Sequence, residues 1–313
     1  MDAAAPAAAV PAAAAQAPAD PAHHQQQQEK EEEEEGRICS ICLEPLPRWG
    51  DKFMWLACCG KGIHVECNAQ LDESASWGRC PLCRTTTAGS PEETHKQALR
   101  WARKGKLWAM TSVGCDFENG RGVSESKEMA FLWYKKAAEQ GYARAQFSLG
   151  QMHRKGEGVP VSYELARVWT EKAAEQGLPV AQSNLGAFHH SGMGLPVSKE
   201  KARVWFKRAA EQGHASAQFN LGAYYVNGEG GPNSQEHGFF WLSLAAKQGN
   251  EQATTIAKGM KSRCYSCGKT GKMQRCPQCK CAYYCSRKCQ KAAWTGGHKA
   301  ACKQIRRKEL SAN

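Results

Sequence analysis

The apolar pattern in the middle of the chain repeats every 36 residues. The segment Ala-Ala-Glu-Gln-Gly at 137–141 recurs at 173–177 and 209–213, and Ala-Ala-Lys-Gln-Gly follows at 245–249. Tryptophan keeps one register of this period, at positions 133, 169, 205 and 241. A fixed period of this size is typical of stacked supersecondary units, because one unit alone cannot bury its apolar face. We therefore expect these tryptophans to pack in the core of a repeat protein.

Each period contains two helical patterns. One apolar pattern begins near Ala145 and closes at Gly156, and a second begins at about Tyr163 and closes at Gly177. Glycine is common just after a helix because it tolerates the left-handed backbone there. The pattern predicts a solenoid of helix pairs, with four units from about 106 to 249 and the first helix of a capping fifth unit from 251.

The repeated segment resembles the Sel1-like repeat family. The motifs that carry the resemblance are Ala181-Gln-Ser-Asn-Leu-Gly186, the turn Gly192-x-Gly194, and Lys201-Ala-x-x-Trp205. The resemblance implies an all-α solenoid over residues 91–260. It also implies a concave face that holds a protein partner and an absence of catalytic residues in the repeats.

Residues 1–36 differ in composition from the rest of the chain. They contain alanine and proline tracts, four glutamines from Gln25, and a block of glutamates from Glu31 to Glu35. Such a segment has almost no large apolar side chain to offset the entropy lost on ordering. We therefore expect a disordered, low-complexity tail at 1–36.

Cysteine is concentrated in two clusters that flank the repeats. Fourteen of the sixteen cysteines, with two histidines, form sixteen candidate ligands. The first cluster holds Cys39, Cys42, Cys58, Cys59, His64, Cys67, Cys80 and Cys83, and the second holds Cys264, Cys267, Cys276, Cys279, Cys285, Cys289, His298 and Cys302. Zinc takes four nitrogen or sulfur ligands in a closed structural site, so the spacing predicts two sites per cluster and four zinc ions.

A disulfide framework is the alternative use for such cysteine pairs. No signal peptide opens the sequence, and cysteines at zinc spacing suit a reducing compartment. We therefore expect zinc as the cofactor and a cytoplasmic or nuclear location. No run of about 18 apolar residues is present, so we expect no contact with a membrane. Cys281, two residues after a predicted ligand, is expected to be a spare thiol.

The N-terminal cluster, within residues 37–90, resembles a RING finger. The resemblance implies a cross-brace with the two ligand sets Cys39, Cys42, His64, Cys67 and Cys58, Cys59, Cys80, Cys83. Members of this family usually have at least one residue between the third and fourth ligands, whereas Cys58 and Cys59 are adjacent.

RING fingers commonly act as ubiquitin ligases by docking a ubiquitin-conjugating enzyme in a shallow apolar groove. Ile41, Leu71 and Pro81 match the groove positions, and Arg84 matches the basic position that contacts both ubiquitin and the enzyme. The resemblance implies a non-covalent positioning role for Arg84. Alternatively, Ile41 and Leu71 pack the small domain and Arg84 is solvated.

The C-terminal cluster, within residues 261–303, resembles a MYND finger. The matching motifs are Tyr283-Tyr284-Cys285-Ser286, Cys289-Gln290, and Trp294 before His298-Lys299. The resemblance implies the ligand sets Cys264, Cys267, Cys285, Cys289 and Cys276, Cys279, His298, Cys302. It also implies that Gln290 and Trp294 bind a proline-containing peptide, while a packing role is the alternative for Trp294.

The charge of the chain is concentrated near its C-terminus. The whole sequence has a formal net charge of +12, and residues 261–313, which end in a basic tail at 304–313, contribute 14 Lys and Arg against one Glu. A basic surface attracts acidic proteins or nucleic acid, and nucleic acid is kept as a third alternative.

The leading interpretation is a ubiquitin ligase that recruits protein substrates through the solenoid and the MYND finger. A non-catalytic adaptor or transcription-linked scaffold is the second.

Overall fold

The computed structural model describes residues 53–55, 62–64, 90–264, 266 and 268–311 of the chain. The chain divides into two units, residues 1–87 and 88–313. In the first unit, strand β1 (Phe53–Trp55) pairs antiparallel with strand β2 (Gly62–His64), and Phe53 lies opposite His64. The predicted tail at 1–36 lies outside the described residues.

The second unit begins with a run of helices that makes a solenoid. Each helix packs against the helix before it and the helix after it. In the part of the chain that the structure describes, these helices are α1 (Pro91–Arg103), α2 (Leu107–Asn119), α3 (Lys127–Glu139), α4 (Ala143–Lys155), α5 (Tyr163–Glu175), α6 (Pro179–Ser191), α7 (Lys199–Glu211), α8 (Ala215–Asn227), α9 (Gln235–Lys247) and α10 (Glu251–Lys261). No helix among the described residues is both long and apolar enough to cross a membrane.

The second helix of every repeat begins at a serine cap. In helix α5, for example, the Ser162 hydroxyl accepts a hydrogen bond of 3.2 Å from the backbone N–H of Leu165. This bond satisfies one of the amide groups that have no partner in the first turn of a helix. The same cap is made by Ser126, Ser198 and Ser234. The first helix of each repeat ends at a glycine, and Gly192 after α6 has the left-handed φ of 79°.

The two helices of a repeat approach each other closely at one glycine. A Cβ atom added to Gly186 in α6 would lie 2.7 Å from Cδ1 of Phe206 in α7. The neighbouring core positions are filled by small or medium side chains, including Leu185, Ala209 and Ala210, all of which are buried. This Leu-Gly pair therefore recurs because a larger residue at the glycine position would separate the helices.

The glutamine of the repeated Ala-Ala-Glu-Gln-Gly segment makes hydrogen bonds both within its own repeat and to the preceding repeat. The Gln176 side-chain amide donates to Gln146 Oε1 at 2.7 Å and to the Gly141 carbonyl at 2.8 Å. Gln146 is buried and in turn donates to the Ala138 carbonyl. The same pairing joins Gln212 to Gln182 and Gln248 to Gln218. Buried polar groups are thus satisfied across each repeat interface.

The repeated tryptophans lie at the margin of the core more often than within it. Trp241 is 4% exposed, whereas Trp133, Trp169 and Trp205 are only half-buried. A cation three residues later covers the outer ring face, as with Lys172, whose Nζ is 4.3 Å from the centroid of Trp169. The predicted packing role is therefore confirmed: Trp241 lies inside the core, and Trp133 and Trp169 pack against it at its margin, where a cation and its methylene chain complete the contact.

The C-terminal segment packs on the last repeats of the solenoid. It contains β3 (Gln274–Arg275) paired antiparallel with β4 (Tyr283–Tyr284), helix α11 (Arg287–Ala293), a π-helical turn (Trp294–His298) and helix α12 (Lys299–Ser311). Helix α9 contacts α12, and the rings of Phe239 and Tyr283 meet edge to face at 5.3 Å. One buried apolar cluster therefore includes residues of both the solenoid and the cysteine-rich segment.

Residues 304–311, predicted from the sequence as part of a basic tail, continue helix α12. Ile305 is fully buried, three residues after the buried Cys302. The helix therefore extends past the last predicted ligand because an apolar residue on the same face anchors it to the core.

Candidate metal centre

Four predicted ligands meet in a buried group at the C-terminal end of the chain. The ligand atoms of Cys276, Cys279, His298 and Cys302 all lie within 4.8 Å of one another, and all four residues are buried. A tetrahedral zinc site with sulfur at 2.3 Å separates its ligand atoms by about 3.8 Å. His298 Nε2 lies 3.4 Å from Cys276 Sγ and 3.7 Å from Cys279 Sγ, so the donor set and its spacing fit zinc.

A tight turn and a helix direct these four side chains toward a common centre. Cys276 and Cys279 flank a turn in which the Lys280 amide donates to the Cys276 carbonyl, and Lys280 has a φ of 55°. His298 ends the π-helical turn and Cys302 lies one helical turn later in α12. Because residues four apart share a face of a helix, both side chains point toward the cysteine turn.

The His298 ring is held on several sides. Its Nδ1 lies 2.9 Å from Glu236 Oε1, and the exposed fraction of the His298 side chain is 0%. The rings of Tyr284 and Trp294 meet it edge to face at 5.9 Å and 5.8 Å. Nε2 therefore faces the cysteines and Nδ1 faces the carboxylate.

Electrostatics favour a proton on His298 and a thiolate at Cys279 in the metal-free protein. Hydrogen bonds with Cys281 and, to a smaller extent, His298 lower the pKa of Cys279 to about 3 against the effect of burial. Burial lowers the pKa of His298, but hydrogen bonds with Cys279, Glu236 and Cys276 raise it to about 10. Burial and the charge of Cys279 raise the pKa of Cys302 to about 12. Zinc must therefore displace protons as it binds.

A second group contains three predicted ligands. The sulfur atoms of Cys264, Cys285 and Cys289 lie within 4.8 Å of one another, with Cys285 and Cys289 3.7 Å apart. The Cys289 amide is fixed in the first turn of α11 by a hydrogen bond to the Ser286 hydroxyl. Cys267, the fourth member of the predicted set, lies outside the described residues. Among the described cysteines, none forms a disulfide.

Two residues of the centre were not expected from the sequence. Cys281 was predicted to be a spare thiol, yet it is buried and hydrogen-bonds to the ligand Cys279. Its position two residues after Cys279 is the only sequence signal for this contact. Glu236 belongs to the solenoid, 62 residues before His298, and no motif connects the two.

A surface cavity lies beside the metal group. Trp294, Thr295, Lys299, Ala300 and Lys303 line it, and its volume is about 500 Å³. Trp294 thus contacts His298 on one side and lines the cavity on the other. Gln290, the other residue predicted to contact a peptide, lies one helical turn before Trp294 and does not line this cavity.

The N-terminal candidates are described only in part. His64 is the last residue of β2. The remaining predicted RING ligands, and the proposed contact residues Ile41, Leu71, Pro81 and Arg84, lie outside the described residues.

Comparison with known proteins assigns both described modules. The Sel1 repeat family matches residues 109–142, 143–178, 179–214 and 215–250. A solved Sel1 repeat protein from Oxalobacter formigenes is 30% identical, with a TM-score of 0.51, over 55% of this chain and 68% of that chain. The chain belongs to the Sel1 repeat family. The MYND finger family matches residues 264–302 of this Sel1 repeat protein.

Two further relatives cover smaller parts. The protective antigen c5321 of uropathogenic Escherichia coli, which displays an SLR fold, is 38% identical with a TM-score of 0.52, over 54% of this chain and 36% of that chain. The RING-H2 finger protein ATL3 of Arabidopsis thaliana is 40% identical over 63 residues, which are 20% of this chain and 18% of that protein. This Sel1 repeat protein thus spans about a third of c5321 and under a fifth of ATL3.

The matches confirm the predicted repeats and the predicted MYND finger. The cysteine and histidine groups of the finger fit zinc binding. Because Sel1 repeats and MYND fingers are both protein-interaction modules, these modules indicate a zinc-dependent interaction scaffold.

Proposed function

We propose that this scaffold binds a proline-containing segment of a partner protein on its MYND finger and directs ubiquitin to that partner through its N-terminal cysteine cluster. The cavity at Trp294, next to the metal group, carries the first part of the proposal. Four protein ligands close the site of Cys276, Cys279, His298 and Cys302, which leaves no position for an activated water. The finger therefore acts by binding and not by catalysis.

The chemistry of the cavity favours a proline-rich, acidic ligand. The half-buried Trp294 ring offers a flat apolar surface for a proline ring. Lys299 and Lys303, both exposed, line the same cavity from successive turns of α12. Their ammonium groups would pair with acidic side chains next to the proline.

Peptide binding to the full chain tests this part. We expect a fluorescent peptide with proline between acidic residues to bind, and Trp294→Ala to weaken it about 30-fold, which corresponds to about 2 kcal/mol for a central tryptophan. The matched control is Trp205→Ala, because Trp205 is also half-buried but belongs to the solenoid. Unchanged affinity in Trp294→Ala, with zinc retained, would leave Trp294 as a packing residue only.

The N-terminal cluster is proposed to recruit a ubiquitin-conjugating enzyme. Its ligand spacing resembles a RING finger, and the short match to a RING-H2 protein supports the same assignment. In this proposal Ile41, Leu71 and Pro81 contact the conjugating enzyme, and Arg84 holds ubiquitin in a reactive pose. The solenoid and the MYND finger would hold the substrate.

Ubiquitin transfer by the full chain tests the ligase proposal. With a panel of conjugating enzymes we expect self-modification, which Arg84→Ala slows more than it weakens docking. Ile41→Ala should do the reverse, because it removes apolar contact worth about 1–3 kcal/mol. If the wild type transfers no ubiquitin with any enzyme of the panel, the non-catalytic adaptor replaces the ligase.

Zinc stoichiometry tests the proposed ligand sets. Sixteen ligands divide into four tetrahedral sites, so we propose four zinc ions per chain. Elemental analysis of the purified chain should find that number. Two or fewer ions at saturating zinc would contradict the assignment of the N-terminal cluster.

A further inference from the structure

The second helix of every repeat carries the same serine and glutamate in its first turn. In each repeat the serine hydroxyl lies within hydrogen-bond distance of the glutamate Oε2, at 3.0, 3.4, 3.2 and 3.2 Å. The four pairs are Ser126 with Glu128, Ser162 with Glu164, Ser198 with Glu200, and Ser234 with Glu236. A carboxylate in the first turn of a helix is favoured by the helix dipole, so this position has a simple structural role in a solenoid.

Glu236 differs from its three equivalents. Glu128, Glu164 and Glu200 are exposed, whereas Glu236 is 2% exposed. Its Oε1 lies 2.9 Å from His298 Nδ1, while Oε2 keeps the contact with Ser234. Capping a helix does not require burial, and a buried carboxylate needs a compensating partner. His298 is that partner.

We propose that Glu236 is a positioning residue for zinc at the site of Cys276, Cys279, His298 and Cys302. Its carboxylate accepts the Nδ1 proton of His298 and thereby fixes the tautomer whose Nε2 lone pair faces the metal. The 3.4 Å and 3.7 Å distances from Nε2 to the sulfurs of Cys276 and Cys279 show that this nitrogen points into the ligand group. A carboxylate behind a metal-bound histidine generally orients the ring and raises its basicity.

The consequence is that the solenoid completes the metal site of the finger. Helix α9, which contains Glu236, also contacts α12, which contains Cys302. His237 Nε2 lies 3.1 Å from Gln304 Oε1 across the same interface. Zinc binding and the folding of the fourth repeat should therefore stabilise each other, since a ligand stabilises the state to which it binds. This proposal requires zinc at the described site but neither the peptide nor the ubiquitin function.

Matched glutamate substitutions in the full chain test the proposal. Glu236→Gln removes the charge at nearly constant volume, and Glu200→Gln makes the same change at the exposed equivalent one repeat earlier. The zinc affinity of each variant is measured by competition with a chromogenic chelator. In Glu236→Gln we expect one zinc ion per chain to bind about 10- to 100-fold more weakly than in the wild type, which is the usual effect of losing such an outer-shell partner. Glu200→Gln should release zinc like the wild type.

A second variant and a spectroscopic measurement separate positioning from packing. In zinc-loaded wild type the Nδ1 proton of His298 should exchange slowly in histidine-selective NMR, and His298→Cys should remove that signal. Glu236→Ala should make the exchange fast while far-ultraviolet circular dichroism stays that of a folded solenoid. If Glu236→Ala unfolds the solenoid, the chelator result of Glu236→Gln decides.

Two results would overturn the proposal. The first is zinc release from Glu236→Gln at the rate of Glu200→Gln and wild type. The second is an equal loss of zinc affinity at every zinc site of the chain, because a positioning role for Glu236 should weaken only the site that contains His298.

Discussion

Replacing Gly186 by alanine tests how closely the two helices of a repeat must approach. The new Cβ would lie 2.7 Å from Cδ1 and 2.8 Å from Cε1 of Phe206, whereas carbon atoms pack best at about 3.5–4.0 Å. Phe206 is 2% exposed and its ring abuts Tyr224 at 5.4 Å, so it has little room to retreat. Overpacking of this kind costs about 1–3 kcal/mol, and the better helix propensity of alanine offsets about 1 kcal/mol. We expect a net loss of about 1 kcal/mol.

The same substitution at Gly259 is the matched control. Gly259 lies in helix α10, and a Cβ atom there would meet no atom within 4 Å. Alanine should therefore stabilise the chain by about 0.5–1 kcal/mol, because glycine loses more backbone entropy on folding. Urea unfolding with zinc present, followed by circular dichroism, measures both variants. Shifts of the same sign, or a Gly186→Ala variant as stable as the wild type, would refute the proposed packing.

Two further predictions concern the repeat interface and the metal site. Gln248→Ala should cost about 1–3 kcal/mol in the same unfolding assay, because it removes the donor to the buried Gln218. Gln140→Ala should change stability by less than about 0.5 kcal/mol, since among the described residues its side-chain amide donates only to the exposed Lys136 carbonyl of its own helix. Zinc should bind the site of His298 more tightly as pH rises from 6 to 9, because the raised pKa values of His298 (about 10) and Cys302 (about 12) mean that zinc must displace their protons. Calorimetry in buffers of different ionisation enthalpy should detect net proton release at neutral pH, and its absence would contradict this protonation scheme.

The sequence predicted the features that repeat or that follow a ligand spacing. The period of 36 residues, with a glycine closing each apolar pattern, predicted the helix pairs. Cys276, Cys279, His298 and Cys302 could be paired before the structure because the cross-brace order follows from a family resemblance. In both cases the information is local or periodic.

Depth of burial and contacts between distant segments could not be predicted in the same way. A tryptophan at a fixed register, such as Trp169, indicates packing but does not reveal that Lys172 covers its outer face. Glu236 has the same sequence environment as the exposed Glu200, and only the finger that packs against the last repeat makes it different. Tertiary contact thus gives one of four equivalent residues a separate environment.

The central claim is that zinc joins the MYND finger and the solenoid into one folded unit. Hydrogen–deuterium exchange of helix α9 (Gln235–Lys247) tests this claim most directly, when it is measured with zinc bound and again after a chelator has removed the zinc. We predict that zinc removal accelerates exchange in α9 and in residues 274–311, while α4 and α5 in the second repeat stay protected, because repeats contact only their neighbours. Unchanged protection of α9 after complete zinc removal would contradict the joined structure.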